Sequence, residues 1–188
     1  MSSKSALSRK LEEKDNELHE RLVKFISEIY GQLPACVVTN GGWSAKVKHG
    51  TFVIDILHTI GERCITVALN FELDTEAQNI LKSGVQGVIE SREFEYGLRS
   101  TLTFPDTFYF IHTVKSADGA NIWSGFVVGA TLFPYSPDFS VYILQKAIQN
   151  VVNASTLGMG FLGLKLMSNK AFMDFLDELK SSPGEMYQ

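Results

Sequence analysis

The sequence contains little that would suit a partner made of phosphate or lipid. Seventeen lysine and arginine residues stand against 21 aspartate and glutamate residues, and the net charge is −4. The basic excess with which a protein displaces counterions from phosphates is therefore missing. No segment approaches the roughly 18 consecutive apolar residues of a membrane-spanning helix. The composition predicts that the protein binds neither nucleic acid nor membrane.

Cysteine is also scarce. Only Cys36 and Cys64 occur, and the segment MSSKSALSRKLEEKDNE is too charged for the apolar core of a signal peptide. We therefore expect free thiols and a location in the cytoplasm. The chain has 188 residues, 45% of them hydrophobic, so it can bury a sizeable core without disulfides.

Motifs for metal or cofactor chemistry are weak. The four histidines show no pair at metal-ligand spacing and no neighbouring cysteine pair; they are His19, His49, His58 and His112. Gly158 to Gly163 spell G-x-G-x-x-G, but a dinucleotide site needs a strand before this motif, and here a predicted helix precedes it. Close packing or a bend is the favoured interpretation. We predict no catalytic residue, no cofactor and no metal.

Hydrophobic periodicity predicts a helix over residues 7–30. Apolar side chains recur there at helical spacing, and they are Leu11, Leu18, Leu22, Phe25 and Ile29. Asp15 interrupts this stripe where a coiled coil would need an apolar residue. A helix lying on a sheet is therefore favoured over a long coiled coil.

Residues 35–71 predict an antiparallel meander of about four strands. Two-residue turns at 49–50 and 61–62 would place the apolar side chains of neighbouring strands on one common face. Two independent turns that agree on one buried face favour an antiparallel sheet. The predicted pairs include Val47 with Phe52, Ala45 with Ile54 and Ile56 with Val67.

The remaining segments complete a single domain, residues 1–188, of the α+β class. We expect a largely antiparallel sheet of about seven strands, with helices packed mainly on one face. The further predicted elements are a short helix over 74–83, a three-strand unit over 88–132, a buried helix over 137–153 and a C-terminal helix over 169–180.

One face of the three-strand unit predicts a candidate pocket floor. In FEYGLRSTLTF, residues 94–104, apolar and polar residues alternate as in a strand. Three-residue loops at 105–107 and 117–119 would place His112 between Ser100 and Ser124. Because no carboxylate lies on that face, a buried histidine bonded to two hydroxyls is favoured over hydrolytic chemistry. The polar floor of an apolar ligand pocket is the other alternative.

The opposite face of the same strands is too apolar for a freely solvated surface. Its residues include Tyr109, Ile111, Trp123 and Val127. Tryptophan and tyrosine near Arg99 are typical of contact hot spots. Either a protein partner or another layer of the same chain is expected to cover this face.

The order helix, strands, short helix, three strands, helix resembles that of the type III secretion chaperone-like proteins. The resemblance spans residues 7–153 and depends on LxxxLVKFISEIYG, the hairpin pairs of residues 43–71 and FEYGLRSTLTF. It implies a homodimer that binds another polypeptide, without catalysis, metal or cofactor. No signature motif aligns, so the resemblance assigns a role to no residue.

The sequence therefore favours a non-enzymatic, chaperone-like protein-binding module. We expect a homodimer that binds a protein partner through the outer sheet face or a sheet edge. The alternative is a small-molecule carrier with an apolar pocket between the sheet and the helix of 138–153, floored by His112. An enzyme is a third alternative, but the sequence places no carboxylate or second histidine near His112.

Overall fold

The computed structural model describes residues 6–39, 41–73, 92–115 and 121–167. These residues contain three helices and six strands. The helices are α1 (Ala6–Tyr30), α2 (Arg92–Leu102) and α3 (Val141–Met167). The strands are β1 (Ala35–Thr39), β2 (Gly42–His49), β3 (Phe52–Thr59), β4 (Ile65–Glu72), β5 (Phe108–Lys115) and β6 (Asn121–Leu132).

The strands form one antiparallel sheet in the order β1-β2-β3-β4-β6-β5. The predicted α+β class and antiparallel sheet are confirmed. Within the described ranges the sheet has six strands rather than about seven, because most of residues 94–104 belong to a helix. The helices predicted over 74–83 and 169–180 lie outside the described residues.

Contacts between Cα atoms group the chain into two compact units. The first unit comprises residues 1–70, 104–108 and 128–153, and the second comprises residues 71–103, 109–127 and 154–188.

In the first unit, α1 buries one stripe of side chains, and it occupies the segment where periodicity predicts a helix. Leu18, Leu22 and Ile26 recur every four residues and are at most 3% exposed. His19 of α1 stacks on Trp43 of β2, so the helix lies on that face of the sheet. The buried side chains on the same side of β2 and β3 are Trp43, Ala45, Val47, Ile54 and Ile56.

The register between β2 and β3 differs from the predicted one by two residues. Val47 lies opposite Ile54 rather than opposite Phe52. The centre of the turn is formed by Gly50 and Thr51, and Gly50 has a φ of 62°, which glycine adopts at little cost. Because side chains alternate with a period of two, this shift leaves each of them on its predicted face.

The register between β3 and β4 is the predicted one, with Ile56 opposite Val67. Along β3, Ile54, Ile56 and His58 are buried, whereas the side chains between them are partly or fully exposed. We call the side of β1 to β4 that is turned away from α1 the outer face.

Residues 92–102 form the helix α2, although their alternation predicts a strand. The buried side chains are spaced by four residues, as one face of a helix requires; they are Phe94, Leu98 and Leu102. Arg99 and Glu95 form an ion pair of 2.7 Å one helical turn apart. Tyr96, which a strand would bury beside Phe94, is 77% exposed. The strand prediction was wrong because residues 94 and 98 fit both periods.

An aromatic cluster forms the core of the second unit. Trp123 of β6 stacks on Phe71 of β4, with 6.3 Å between ring centroids, and meets Phe94 of α2 edge-on at 6.0 Å. Phe71 also stacks on Phe126, and Phe94 contacts Phe161 of α3. Trp123 is therefore covered by its own chain and is 5% exposed.

Helix α3 is longer than the helix predicted over 137–153, and it starts later. It begins at Val141 and continues through residues 155–167, whose conformation the sequence leaves open. The residues before it form a turn, in which the Phe139 N–H donates to the carbonyl oxygen of Ser136 at 3.1 Å.

The G-x-G-x-x-G motif lies inside α3, within the second unit. Its backbone amides therefore belong to a helix and are not arranged around a ligand. Gly158 is buried, and a Cβ atom there would lie 3.3 Å from the Phe126 ring and closer still to Leu102. Of the two structural interpretations, close packing is the one that the structure supports.

The aromatic cluster predicts that Phe94→Ala destabilises the protein by about 3–5 kcal/mol, the usual cost of removing a buried phenylalanine. Tyr96→Ala is the matched control on the exposed side of the same helix, and we expect it to change the free energy of unfolding by less than about 0.5 kcal/mol. Urea unfolding of both variants measures the difference. Equal effects would contradict the burial of Phe94.

Candidate functional site

Helix α1, strands β2 and β3 and the segment before α3 bring a group of polar and aromatic side chains together in the first unit. We call the group the histidine cluster, and its members are Asp15, His19, Trp43, His58 and Tyr135. His19 lies one helical turn after Asp15, and His58 lies opposite Trp43 in the β2–β3 pair. The cluster joins positions that are up to 120 residues apart, since Tyr135 contacts Asp15.

Hydrogen bonds determine the tautomer of His58. Its Nε2 lies 3.1 Å from the carbonyl oxygen of Glu62, which can only accept, so Nε2 carries a hydrogen. In the neutral ring Nδ1 is then an acceptor, and it receives the Nε2–H of His19 at 2.9 Å. The His19 ring stacks on Trp43, with centroids 5.2 Å apart and an angle of 11° between planes.

Asp15 is 5% exposed although it carries a carboxylate. It accepts hydrogen bonds from the Tyr135 hydroxyl at 2.6 Å and from the Gly61 N–H at 3.2 Å. Burial and the hydrogen bond to Asp15 raise the pKa of Tyr135 above its ordinary value, so the hydroxyl keeps its proton and donates it. Asp15 interrupts the apolar stripe because its carboxylate forms hydrogen bonds that link α1 to two loops.

The surroundings of His19 disfavour its charged form. Burial lowers the pKa of His19 below its ordinary value of 6.5, and the neighbouring His58 lowers it further. Asp15 acts in the opposite direction, because its negative charge favours a protonated ring. The cluster is therefore neutral at His19 when the pH is well above 6.5.

Two cavities with charged side chains in their lining border the histidine cluster at Asp15 and Tyr135. One has a volume of about 220 Å³ and the other of about 410 Å³, and both include Lys14 and Tyr135. The smaller is also lined by Asp15, Gly61, Glu62 and Arg63, and the larger by Glu17, Leu18 and Arg21. Charges of both signs favour no single class of ligand. Within the described residues, no group of three or more His, Cys, Asp or Glu side chains could hold a metal ion.

Strand β1 lies at one edge of the sheet and is open to solvent. All five of its residues are exposed, and Val37 and Val38 are 58% and 71% exposed. In an antiparallel pair, every second residue directs its N–H and C=O away from the neighbouring strand. In the described part of the chain no strand follows β1 on that side, so these groups are available to an added strand.

The outer face beside β1 carries further exposed apolar side chains. Val37 lies opposite Ser44, and Ser44 lies opposite Leu57, so one row crosses three strands. Lys46 and Asp55 form an ion pair of 3.0 Å on the same face. We call Val37, Val53 and Leu57, which are 58%, 51% and 43% exposed, the outer-face patch.

The predicted partner surface is not one exposed face. Trp123 belongs to the aromatic cluster, and the other members, Tyr109, Ile111 and Val127, are half-buried. Phe110, which the predicted register buries, is 64% exposed. The difference arises because that register required residues 94–104 to form a strand next to β5, and most of them are helical.

The predicted pocket floor is divided among a helix and two strands. Ser100 is exposed on α2, His112 is half-buried on β5, and Ser124 is 1% exposed on β6. A row across three strands cannot form, because Ser100 is not on a strand. None of these residues lines either of the two cavities beside Asp15 and Tyr135.

Comparison with known proteins gives one distant likeness. No family model matches the chain, and no curated protein matches it. Among solved structures the chain is similar to a chain of the HopA1-SchA chaperone-effector complex, with a TM-score of 0.40 and 11% identity over 78% of this chain and 94% of that chain. At this TM-score and identity the likeness is weak, and it assigns a role to no residue.

None of the described helices is long and apolar enough to cross a membrane.

The histidine cluster predicts a large cost for removing the Asp15 carboxylate. In Asp15→Ala the Gly61 N–H and the Tyr135 hydroxyl both lose an acceptor, and we expect a loss of about 2–4 kcal/mol. Tyr135→Phe removes one donor and should cost about 1–2 kcal/mol. Glu20→Ala, at an exposed position of the same helix, is the control, with an expected change below about 0.5 kcal/mol. Thermal and urea unfolding measure the series, and an Asp15→Ala variant as stable as Glu20→Ala would contradict the assignment.

Proposed function

We propose that the protein is a non-enzymatic protein-binding module that receives an extended segment of another polypeptide on the edge of β1. The observation that carries the proposal is the exposure of all five β1 residues at the sheet edge. An extended segment on such an edge gains main-chain hydrogen bonds, and its alternate side chains add specificity. Each such hydrogen bond contributes about 0.5–1.5 kcal/mol net.

The side chains around β1 favour an apolar partner segment. On the outer face, an added strand would lie beside Val37 in the row that continues to Leu57. On the other face it would lie beside Val38, which pairs with Trp43 and is 71% exposed. Burying an exposed valine contributes about 1.5 kcal/mol, so alternating apolar residues in the partner add affinity on both faces.

A second copy of the chain is one polypeptide that fits this edge, and the predicted homodimer belongs to the proposal in this form. Two β1 strands would pair antiparallel about a two-fold axis, with Val37 opposite Val37 of the second copy. The sheet would then continue from one copy into the other. Because both use the same edge, the homodimer and the complex with another protein would exclude each other.

The chaperone-like role and the location in the cytoplasm, which the sequence predicts, belong to the same proposal. A chaperone-like role means that the bound segment comes from a polypeptide that is held extended. The exposed thiol of Cys36 and the partly exposed thiol of Cys64 are free and suit the reducing cytoplasm. For the alternative, a small-molecule carrier floored by His112, no observation among the described residues gives specific support.

The edge is tested with the double variant Val37→Lys, Val38→Lys. Lysines on both faces of an edge strand oppose the addition of another strand. The control is Val53→Lys, which places one lysine at a similarly exposed position of the first unit, away from the edge. Both variants should keep the stability of the wild type within about 0.5 kcal/mol per substitution, because the replaced side chains are exposed.

Two measurements follow from these variants. Sedimentation should show a wild-type dimer that becomes monomeric in the double variant and persists in Val53→Lys. Selection from a display library of short peptides should yield segments with alternating apolar residues whose binding requires the unmodified β1 edge. A monomeric wild type that selects no such peptide would overturn the proposal, as would binding that survives in the double variant.

A further inference from the structure

We propose that the His19–His58 pair is a pH-sensitive latch. It holds the middle of α1 on the sheet while the two neutral rings have taken up at most one added proton, and it releases α1 when they have taken up two. The latch lies on the α1 side of the first unit, and it does not depend on the proposed function of the β1 edge. A hydrogen bond of 2.9 Å from His19 Nε2 to His58 Nδ1 joins the two rings.

The first added proton leaves this hydrogen bond in place. Nδ1 of His19 is the acceptor nitrogen of the pair that does not take part in the bond, so a proton there keeps the Nε2–H donor unchanged. The resulting cation lies over the face of Trp43 at 5.2 Å, an arrangement that attracts a positive charge. Asp15, one turn earlier in α1, attracts it as well.

The second proton has no place that preserves the bond. His58 Nε2 already carries a hydrogen that it donates to the carbonyl oxygen of Glu62, so the proton must go to Nδ1. Two N–H groups would then face each other across 2.9 Å, and two cationic rings would lie 5.1 Å apart. Separation of the rings removes both conflicts, and His19 carries α1 with it.

The groups around the pair do not remove this conflict. Asp15 on α1 is engaged by Tyr135 and Gly61, and Glu62 offers the pair its carbonyl oxygen. From β2 the neighbour is Trp43, and from the segment before α3 it is the Tyr135 ring, 6.5 Å from His58. The remaining charged residues near the cluster line the cavities at its border, and they are Lys14, Glu17, Arg21, Glu62 and Arg63.

Another histidine, His49, connects the end of α1 to the sheet through a bond that an added proton does not break. His49 Nδ1 lies 3.0 Å from the Tyr30 hydroxyl. A hydroxyl can donate or accept, so this bond survives protonation of His49 through a rotation of the O–H. The structure thus contains a matched pair of links, of which one is sensitive to a second proton and the other is not.

The lowered pKa of His19 adds a pH effect of the same direction as release of the latch. Between the folded value and 6.5, the unfolded chain binds a proton that the folded chain does not bind. The free energy of unfolding therefore falls as the pH falls through this window. The same linkage limits local opening to an increase of about tenfold per pH unit for each proton taken up.

Amide hydrogen exchange measured by NMR between about pH 7.5 and about pH 5 tests the latch, with rates corrected for the intrinsic effect of pH. We expect the amides of residues 18–23 to lose protection by up to about tenfold per pH unit. The amides of residues 27–30, near the His49 link, should lose less. Histidine ¹⁵N spectra of the same samples report the protonation of each ring.

The variant His19→Gln separates the latch from a general acid effect. A glutamine amide can present either its N–H or its oxygen to His58, so the bond survives protonation of His58. Protection of residues 18–23 should then stay nearly constant over the same range, whereas His49→Gln should lose it as the wild type does. The proposal is overturned if wild-type His19 and His58 are both protonated while residues 18–23 remain protected. Protection independent of pH in the wild type would overturn it as well, and this readout needs no variant.

Discussion

The packing of α1 on one face of β2 and β3 decides what the first unit leaves open. Leu18, Leu22 and Ile26 take up the apolar side of this part of the sheet. The described part of the chain places no second layer on the outer face, where Val37 and Leu57 remain exposed. Because β1 lies beyond the reach of this packing, all five of its residues are exposed. The packing of α1 thus buries the core side chains of β2 and β3 and leaves the β1 edge available to a partner.

The same packing places charged and polar groups under α1, and these groups make the contact between α1 and the sheet dependent on pH. Asp15 holds two loops through hydrogen bonds, and its burial is tolerated because both of its oxygens have partners. His19 and His58 share one hydrogen between two nitrogens, which suits the neutral and singly charged states only. An apolar residue at these positions would make the helix contact independent of pH.

The sequence predicts those parts of the fold in which the spacing of apolar residues fits a strand or a helix, but not both. Alternation in β2 to β4 identifies the buried face even where the turn lies one residue further along than predicted, because a shift of two residues preserves the faces. Residues 94–104 fit two periods, since Phe94 and Leu98 share a face in a strand and in a helix. The contacts of α2 with Trp123 and Phe161 select the helix, and no local pattern contains them. The candidate pocket floor and the predicted partner surface depended on that strand, and for this reason the structure divides them.

The candidate sites differ in how visible they are in the sequence. A charged residue inside the stripe of α1 was the one signal of the histidine cluster, but its partners come from distant segments and have no spacing to recognise. The short apolar run of β1 is visible, whereas its place at the sheet edge emerges only from the strand order. Residue-resolved amide exchange of β1, in the dilute protein and with a peptide selected by it, measures whether the β1 edge is open and whether it accepts an added strand. We expect alternate amides of residues 35–39 to exchange rapidly in the free protein and to become protected on binding. Amides that are all protected in the free protein, or that stay unprotected when the peptide is bound, would contradict this expectation.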